Sequence, residues 1–265
     1  MIITSPGSVA FEIWGFPIYF YGIIMAFAII AGTLVADRVW IKYYSADYSK
    51  DTLLNLAPCL IIMGFLGARL YYCLVNFEYY SIHPAEIFNI RQGGLSIHGM
   101  FFICFIFLIL YSYFKKINLW KLTASMSLGI ALAQSIGRWG NFFNSEAFGL
   151  PYDGFLKLYI SPSYRPIEYA DCSYFHPTFL WESLLDLGIF VILFFVFKRT
   201  KGSNPLFISS MYFLLYGLVR IFVEYLRVDS ALYICNMPIA VFVSVIILVL
   251  SLIGIIISSH FFTYL

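Results

Sequence analysis

Charge is what this sequence has least of. Asp, Glu, Lys and Arg make up 11% of its 265 residues, against about 25% in an ordinary soluble domain. With 62% of residues hydrophobic, a water-soluble globule would leave wide apolar patches exposed, so composition alone points to a membrane protein. Cysteine is also sparse and scattered. Cys59, Cys73, Cys104, Cys172 and Cys235 form no CxxC pair and no Cys/His group at metal-ligand spacing, which argues against a disulfide framework and a zinc site. No metal and no cofactor are expected. The net charge of +2 is small and sits between apolar runs, so no nucleic-acid partner is expected and the charges speak instead to topology. Soluble domains, low-complexity segments and clear internal repeats are absent too, and residues 1–265 read as a single integral membrane domain.

What is there is a series of apolar stretches near 18–36, 55–75, 95–114, 119–137, 178–197, 206–223 and 237–258, each close to the roughly 20 residues a helix needs to cross a bilayer. The fold class expected is therefore an all-α polytopic membrane protein, a bundle of about seven transmembrane helices. No Lys or Arg precedes the first stretch, only Glu12, so it lacks the basic start of a cleavable signal peptide and is expected to stay in the membrane. Loops one, three and five carry Arg38, Lys42, Lys50, Lys115, Lys116, Lys121, Lys198, Arg199 and Lys201. Loops two, four and six, longer in total, carry only Arg91, Arg138, Lys157, Arg165 and Arg227. Positive residues favour the cytoplasmic side, which puts the N-terminus outside and the C-terminus in the cytoplasm. Loop four, approximately 138–177, holds Pro151, Pro162 and Pro166 with several Tyr, and predicts a small ordered extracytoplasmic cap.

Depth follows from the helical rise of about 1.5 Å per residue. Arg69 and Arg220 each lie in the outer half of their spans, and Glu224 and Arg227 follow Arg220 at i+4 and i+7 on one helix face. His98 and Glu182 stand near the outer ends of their helices, and Arg138 is expected to close the fourth span at its outer end. A charge in hydrocarbon is unfavourable by at least about 2.5–3.5 kcal/mol. One such residue near a span end can reach the interface and mean nothing chemically, and Arg220 with Glu224 can be a bundle-locking ion pair. Convergence of several helices at one height argues otherwise. Arginines at the depth of the outer phosphates describe a phosphodiester site, because the guanidinium fork matches phosphate oxygens and stays charged when partly desolvated.

The densest polar constellation is Gly137-Arg138-Trp139-Gly140-Asn141-Phe142-Phe143-Asn144-Ser145-Glu146-Ala147-Phe148-Gly149. Its glycines permit a sharp turn and close backbone approach, and its Asn, Glu and Arg offer paired donors and acceptors beside an apolar span. This segment resembles the GRxGNFxNxExxG signature of the prolipoprotein diacylglyceryl transferase family. Gly93-Gly94-Leu95-Ser96-Ile97-His98-Gly99, His176-Pro177-Thr178-Phe179-Leu180-Trp181-Glu182 and Arg220-Ile221-Phe222-Val223-Glu224-Tyr225-Leu226-Arg227 are similar to three further segments of that family. Tyr21-Gly22 and Gly67-Ala68-Arg69-Leu70 match its YG and GARL. Departures are few: Trp181 stands where Tyr is usual, Met100 where a second Gly is common, and Leu119–Ile136 holds no carboxylate where many members of the family carry an Asp.

The resemblance implies an enzyme of the bacterial cytoplasmic (inner) membrane whose active site faces the outer leaflet. It implies transfer of the diacylglyceryl group of phosphatidylglycerol to the lipobox cysteine of prolipoprotein signal peptides, with a thioether formed and glycerol 1-phosphate released. Arg138 and Arg220 are assigned the phosphate, and Asn141 and Glu146 the glycerol head group. Tyr21, Gly149, Glu224 and Arg227 complete the substrate-binding set. His98 is assigned the base, its ordinary pKa lying near working pH, with Glu146, Glu224 and Tyr21 as alternatives. Two rivals fit less well. An intramembrane serine protease needs a nucleophile facing a distant His, whereas Ser96 and His98 are two apart and point away from each other. A transporter places its site near the midplane on broken helices, whereas polarity here stops at one leaflet.

Overall fold

The computed structural model describes residues 1–89, 93–228, 233–234 and 237–262. Arg91, used above for orientation, and Cys235 lie outside the described residues. In chain order the elements are β1 (Ile2–Thr4), β2 (Val9–Ile13), β3 (Phe16–Tyr19), α1 (Phe20–Tyr43), α2 (Thr52–Val75), α3 (Phe77–Ile82), α4 (Ile97–Lys115) and α5 (Leu119–Asn144). They continue with β4 (Lys157–Tyr159), β5 (Tyr174–Phe175), α6 (Thr178–Thr200), α7 (Pro205–Glu224), β6 (Tyr233–Ile234), β7 (Met237–Pro238) and α8 (Ile239–Phe262). The structure is thus mostly helical, and the expected all-α class needs the addition of short strands. Two compact units divide it: Met1–Ala36 with Thr123–Leu265, and Asp37–Leu122.

Six helices, α1, α2, α4, α6, α7 and α8, are long and apolar enough to cross a membrane. The fourth expected span corresponds to α5, which has 26 residues but carries Thr123, Ser125, Ser127, Gln134, Ser135 and Arg138 along its length. Those groups are satisfied inside the protein. Ser127 Oγ donates to Ala124 O at 2.8 Å, Ser135 and Ser183 each donate a hydroxyl to the other's carbonyl at 2.8 Å, and the Thr123 and Ser209 hydroxyls lie 2.8 Å apart. A helix with partners for its polar groups on its neighbours tolerates an apolar environment without being apolar.

Close backbone approach organises the helices of the larger unit. A Cβ placed on Gly32 of α1 would stand 2.6 Å from the carbonyl oxygen of Gly129 on α5, and one on Gly217 of α7 only 3.1 Å from Leu248 of α8. Small residues let such pairs pack where no hydrophobic drive between helices exists. Asn204 caps α7: its Oδ1 accepts the Phe207 N–H at 3.1 Å, and Pro205 occupies the first turn. In the smaller unit α2 and α4 meet in the same way, a Cβ on Gly67 falling 2.6 Å from Gly99 O.

The segment that holds those prolines is ordered into a small sheet in the larger unit. β4 pairs in parallel with β1 and antiparallel with β5, and 3-10 turns occupy Pro162–Tyr164 and Ile167–Tyr169. Beneath this small sheet, Phe142, Phe148, Leu158, Ile160, Phe175 and Phe179 form a buried core that joins the end of α5 and the start of α6 to the cap.

Candidate active site

Arg138 is not at the end of its helix, as the sequence reading placed it. α5 runs on to Asn144, so Gly137 and Gly140 sit inside the helix and make no turn there. Gly140 serves close approach instead: a Cβ on it would lie 2.9 Å from Cδ2 of Tyr21. The turn comes later, at Ser145 and Ala147, both left-handed with φ near 51° and 54°.

Since α5 and α7 run toward the end at which α6 begins, their last turns and the first turns of α6 share one level. Five charged residues meet there. The Glu182 carboxylate, 2% exposed, has Oε2 2.8 Å from Arg138 Nε and Oε1 accepting from Arg220 Nη1 at 3.2 Å. Arg220 Nη2 lies 2.7 Å from Glu224 Oε2 one turn on. One turn below Glu182, Asp186 stands 3.9 Å from Arg138 Nε. Among the described residues neither oxygen of that buried carboxylate has a hydrogen-bond partner. Low dielectric strengthens each of these attractions and makes any lost partner expensive. Among the described residues the terminal nitrogens of Arg138 carry no hydrogen bond, although its side chain is 21% exposed.

The remaining sequence-predicted residues of this unit cluster beside the network. Asn141 and Asn144 Nδ2 donate to Glu146 Oε1 at 2.9 and 3.3 Å, and the Glu146 N–H donates to Asn141 O at 3.1 Å. Tyr21 lies close enough to Glu146 and Arg138 to feel both charges. Gly149 pairs with Arg227 in an isolated antiparallel bridge, its N–H donating to His176 O at 2.9 Å and the Leu150 N–H to Leu226 O at 2.8 Å. α7 ends at Glu224, so Arg227 does not extend the helix face of Arg220 and Glu224; it belongs to this bridged backbone. The Thr178 hydroxyl, capping the junction, donates to Ala147 O. His176 stacks on Tyr152 with ring centres 3.8 Å apart, and burial pushes its pKa below the ordinary histidine value.

His98 belongs to the smaller unit, in the first turn of α4, where its ring lies 6.4 Å from that of Tyr71. Arg69, in the same unit, has a different occupation from the one its depth implied. Its Nε donates to Ile87 O, Nη1 to Gly93 O and Gly94 O, and Nη2 to Glu86 O and Asn89 O, at 2.6–3.2 Å. A guanidinium has five N–H groups, and five carbonyls take them. Arg69 is a tether for the segment leading into α4, which is why a phosphate role falls away.

Asp186 escaped the sequence reading, and Glu182 was seen only as a polar residue near a span end. The signal for both was present: Glu182 and Asp186 are i, i+4 in an apolar span and so share a face.

These features define a class: a polytopic helical membrane protein with a buried arginine–carboxylate network at one end of its helices. The chain belongs to the prolipoprotein diacylglyceryl transferase family, whose model, described as Prolipoprotein diacylglyceryl transferase, matches residues 8–257; the protein is a transferase. Three relatives bear the name phosphatidylglycerol–prolipoprotein diacylglyceryl transferase. The one from Acaryochloris marina is 40% identical over 86% of this chain and 82% of its own length. Those from Synechococcus elongatus and a Synechocystis species are 38% and 37% identical over 96% and 95% of this chain, and 88% and 89% of their own.

Proposed function

We propose that this protein transfers the diacylglyceryl group of phosphatidylglycerol to the lipobox cysteine thiol of prolipoproteins, the first step of lipoprotein maturation. The thiolate sulfur attacks the glycerol carbon that bears the phosphate ester. A C–S bond forms, the C–O bond breaks, glycerol 1-phosphate leaves with the bonding electrons, and the thiol proton passes to a base. A thiol of ordinary pKa about 8.5 needs such a base to react quickly, and the leaving phosphate needs positive charge beside it.

The observation that carries this reading is the hold of Glu182 of α6 on Arg138 of α5 and Arg220 of α7, which keeps two guanidiniums aimed and close together. The terminal nitrogens of Arg138 are placed to meet phosphate oxygens, and Arg220 shares the charge. Asn141 and Glu146 receive the glycerol hydroxyls, and Tyr21, Gly149, Glu224 and Arg227 shape the remaining walls. His98 is the base on the strength of its imidazole chemistry, with Glu146, Glu224 and Tyr21 as the alternatives.

The same reading takes α5 as a seventh span, its 26 residues reaching about 39 Å. It takes residues 1–265 as one integral domain in the bacterial inner membrane, N-terminus outside, C-terminus cytoplasmic, with the site facing the outer leaflet. Basic residues Lys198, Arg199 and Lys201 at the far end of α6 support that direction.

The test is purified protein in lipid with phosphatidylglycerol and a lipobox peptide, followed by mass. Gain of a diacylglyceryl group on the peptide cysteine is expected; no gain under conditions where a relative from the same family works overturns the reading. Arg138→Ala should abolish transfer. Near-normal transfer by His98→Gln would remove His98 from the role of base and leave the phosphate assignment standing.

A further inference from the structure

We propose that Asp186 is a positioning residue of the phosphate site, a second and deeper seat for the guanidinium of Arg138 when lipid phosphate is bound. The inference rests on the transferase reading for its substrate and deepens it. Asp186 is 1% exposed, and among the described residues neither of its carboxylate oxygens has a hydrogen-bond partner. A carboxylate taken out of water and left unanswered is costly, so one kept in that state needs a partner that comes to it.

The surroundings name that partner. Tyr212 and Tyr216 of α7 are close enough to feel the charge of Asp186, but Tyr212 donates its hydroxyl to Gln134 Oε1 at 3.0 Å. The Ser183 hydroxyl, on the preceding turn of α6, donates to Ser135 O at 2.8 Å. Arg220 already meets two carboxylates, Glu182 Oε1 at 3.2 Å and Glu224 Oε2 at 2.7 Å. Arg138 meets one at that range, Glu182 at 2.8 Å, and its Nε stands 3.9 Å from Asp186 Oδ2. A shift of about 1 Å brings this last pair to the ordinary N–H···O distance of about 2.9 Å.

Phosphate supplies the reason for the shift. A guanidinium is a planar fork, so an anion on the two terminal nitrogens leaves Nε to be answered from the opposite edge. In the empty site Glu182 answers it, at the level where the phosphate arrives, and the two negative groups repel. Asp186 lies one turn further along α6, about 6 Å deeper. Passing Nε from Glu182 to Asp186 moves the counter-charge away from the phosphate, which weakens that repulsion, and leaves Glu182 to Arg220. The terminal nitrogens of Arg138 face outward in both seats.

The full chain in detergent is titrated with phosphatidylglycerol, and transfer to a lipobox peptide is measured in parallel. Asp186→Asn keeps the shape and removes the charge. It is expected to weaken lipid binding and lower kcat/KM by about tenfold, the scale of a coupling between residues in contact. Asp186→Glu, with a longer arm toward Nε, is expected to recover both to within about threefold. In an Arg138→Gln background, where Arg220 remains to hold the phosphate, Asp186→Asn is expected to change lipid binding by less than about twofold. A tenfold loss in that background overturns the proposal, because Asp186 then acts without Arg138. Tighter lipid binding by Asp186→Asn alone overturns it as well, since the carboxylate then only repels the phosphate. Should Asp186→Asn fold poorly, Asp186→Ser repeats both comparisons. Lipid binding is read without catalysis, so a protein that binds phosphatidylglycerol and transfers nothing overturns the transferase reading while the binding series still decides this one.

Discussion

Glu182 Oε2 lies 2.8 Å from Nε of Arg138, and the same carboxylate reaches Arg220 through its other oxygen. Two like charges are thereby held at one place by a residue that need not touch substrate. Glu182→Gln keeps the shape and removes the charge, and is expected to lower kcat/KM by about 10²-fold, the scale of losing one aimed transition-state donor. Glu182→Ala should in addition destabilise the fold, because it leaves Arg138 with only Asp186 at 3.9 Å and Arg220 with only Glu224 in this network. Steady-state transfer assays and thermal unfolding in detergent measure the two effects separately.

Arg138→Lys keeps the charge and loses the planar fork, which is not a conservative change where phosphate oxygens are met in pairs. We expect transfer to fall by about 10²-fold. A variant retaining half the normal rate in vesicles of phosphatidylglycerol would mean that the charge suffices and the fork does not matter.

Gly149 has no room for a side chain. A Cβ there would stand 2.6 Å from both His176 Cβ and the Leu226 carbonyl oxygen, so Gly149→Ala must part the bridge to Arg227. Overpacking of this kind typically destabilises by about 1–3 kcal/mol, and the loss should appear as a lower unfolding temperature with transfer reduced in parallel. Unchanged stability would show that the bridge yields freely.

His176 makes stability depend on pH. Its Nδ1 is buried without a hydrogen bond among the described residues, and burial holds its pKa below the ordinary value. In the unfolded chain the ring titrates near about 6.5, so between that value and the lower folded one the unfolded state binds more protons. Stability is then complete above about pH 6.5 and declines as pH falls through this window. Comparing unfolding temperatures of the protein and His176→Asn from pH 8 to 5 should show a flatter profile for the variant; parallel profiles would assign the acid sensitivity elsewhere.

Much of the architecture was legible because bilayer burial writes itself into composition. An apolar run of about 20 residues has few alternatives to a spanning helix, and six of the seven expected runs became helices of that kind. Positions along each run also put Arg138, Glu182 and Arg220 near the same ends of their helices, and these three meet in the structure. Helix ends were less legible. Nothing in Arg138-Trp139-Gly140-Asn141 forbids a turn, and the helix continues to Asn144 because Gly140 receives the Tyr21 ring and Phe142 joins the cap core. Those partners are distant in sequence.

By itself the sequence determined that this is a helical membrane protein and, through its motifs, which family it belongs to. Spacing along a helix is local, so such conclusions need no knowledge of neighbours. Only the tertiary structure decided which arginine meets which carboxylate. Arg69 and Arg220 looked alike by depth, yet one spends its donors on five backbone carbonyls and the other meets Glu182 and Glu224. A guanidinium in a low-dielectric interior takes whatever acceptors surround it, and those acceptors come from other segments, brought there by the packing of α5, α6 and α7 in one unit and by the segment before α4 in the other.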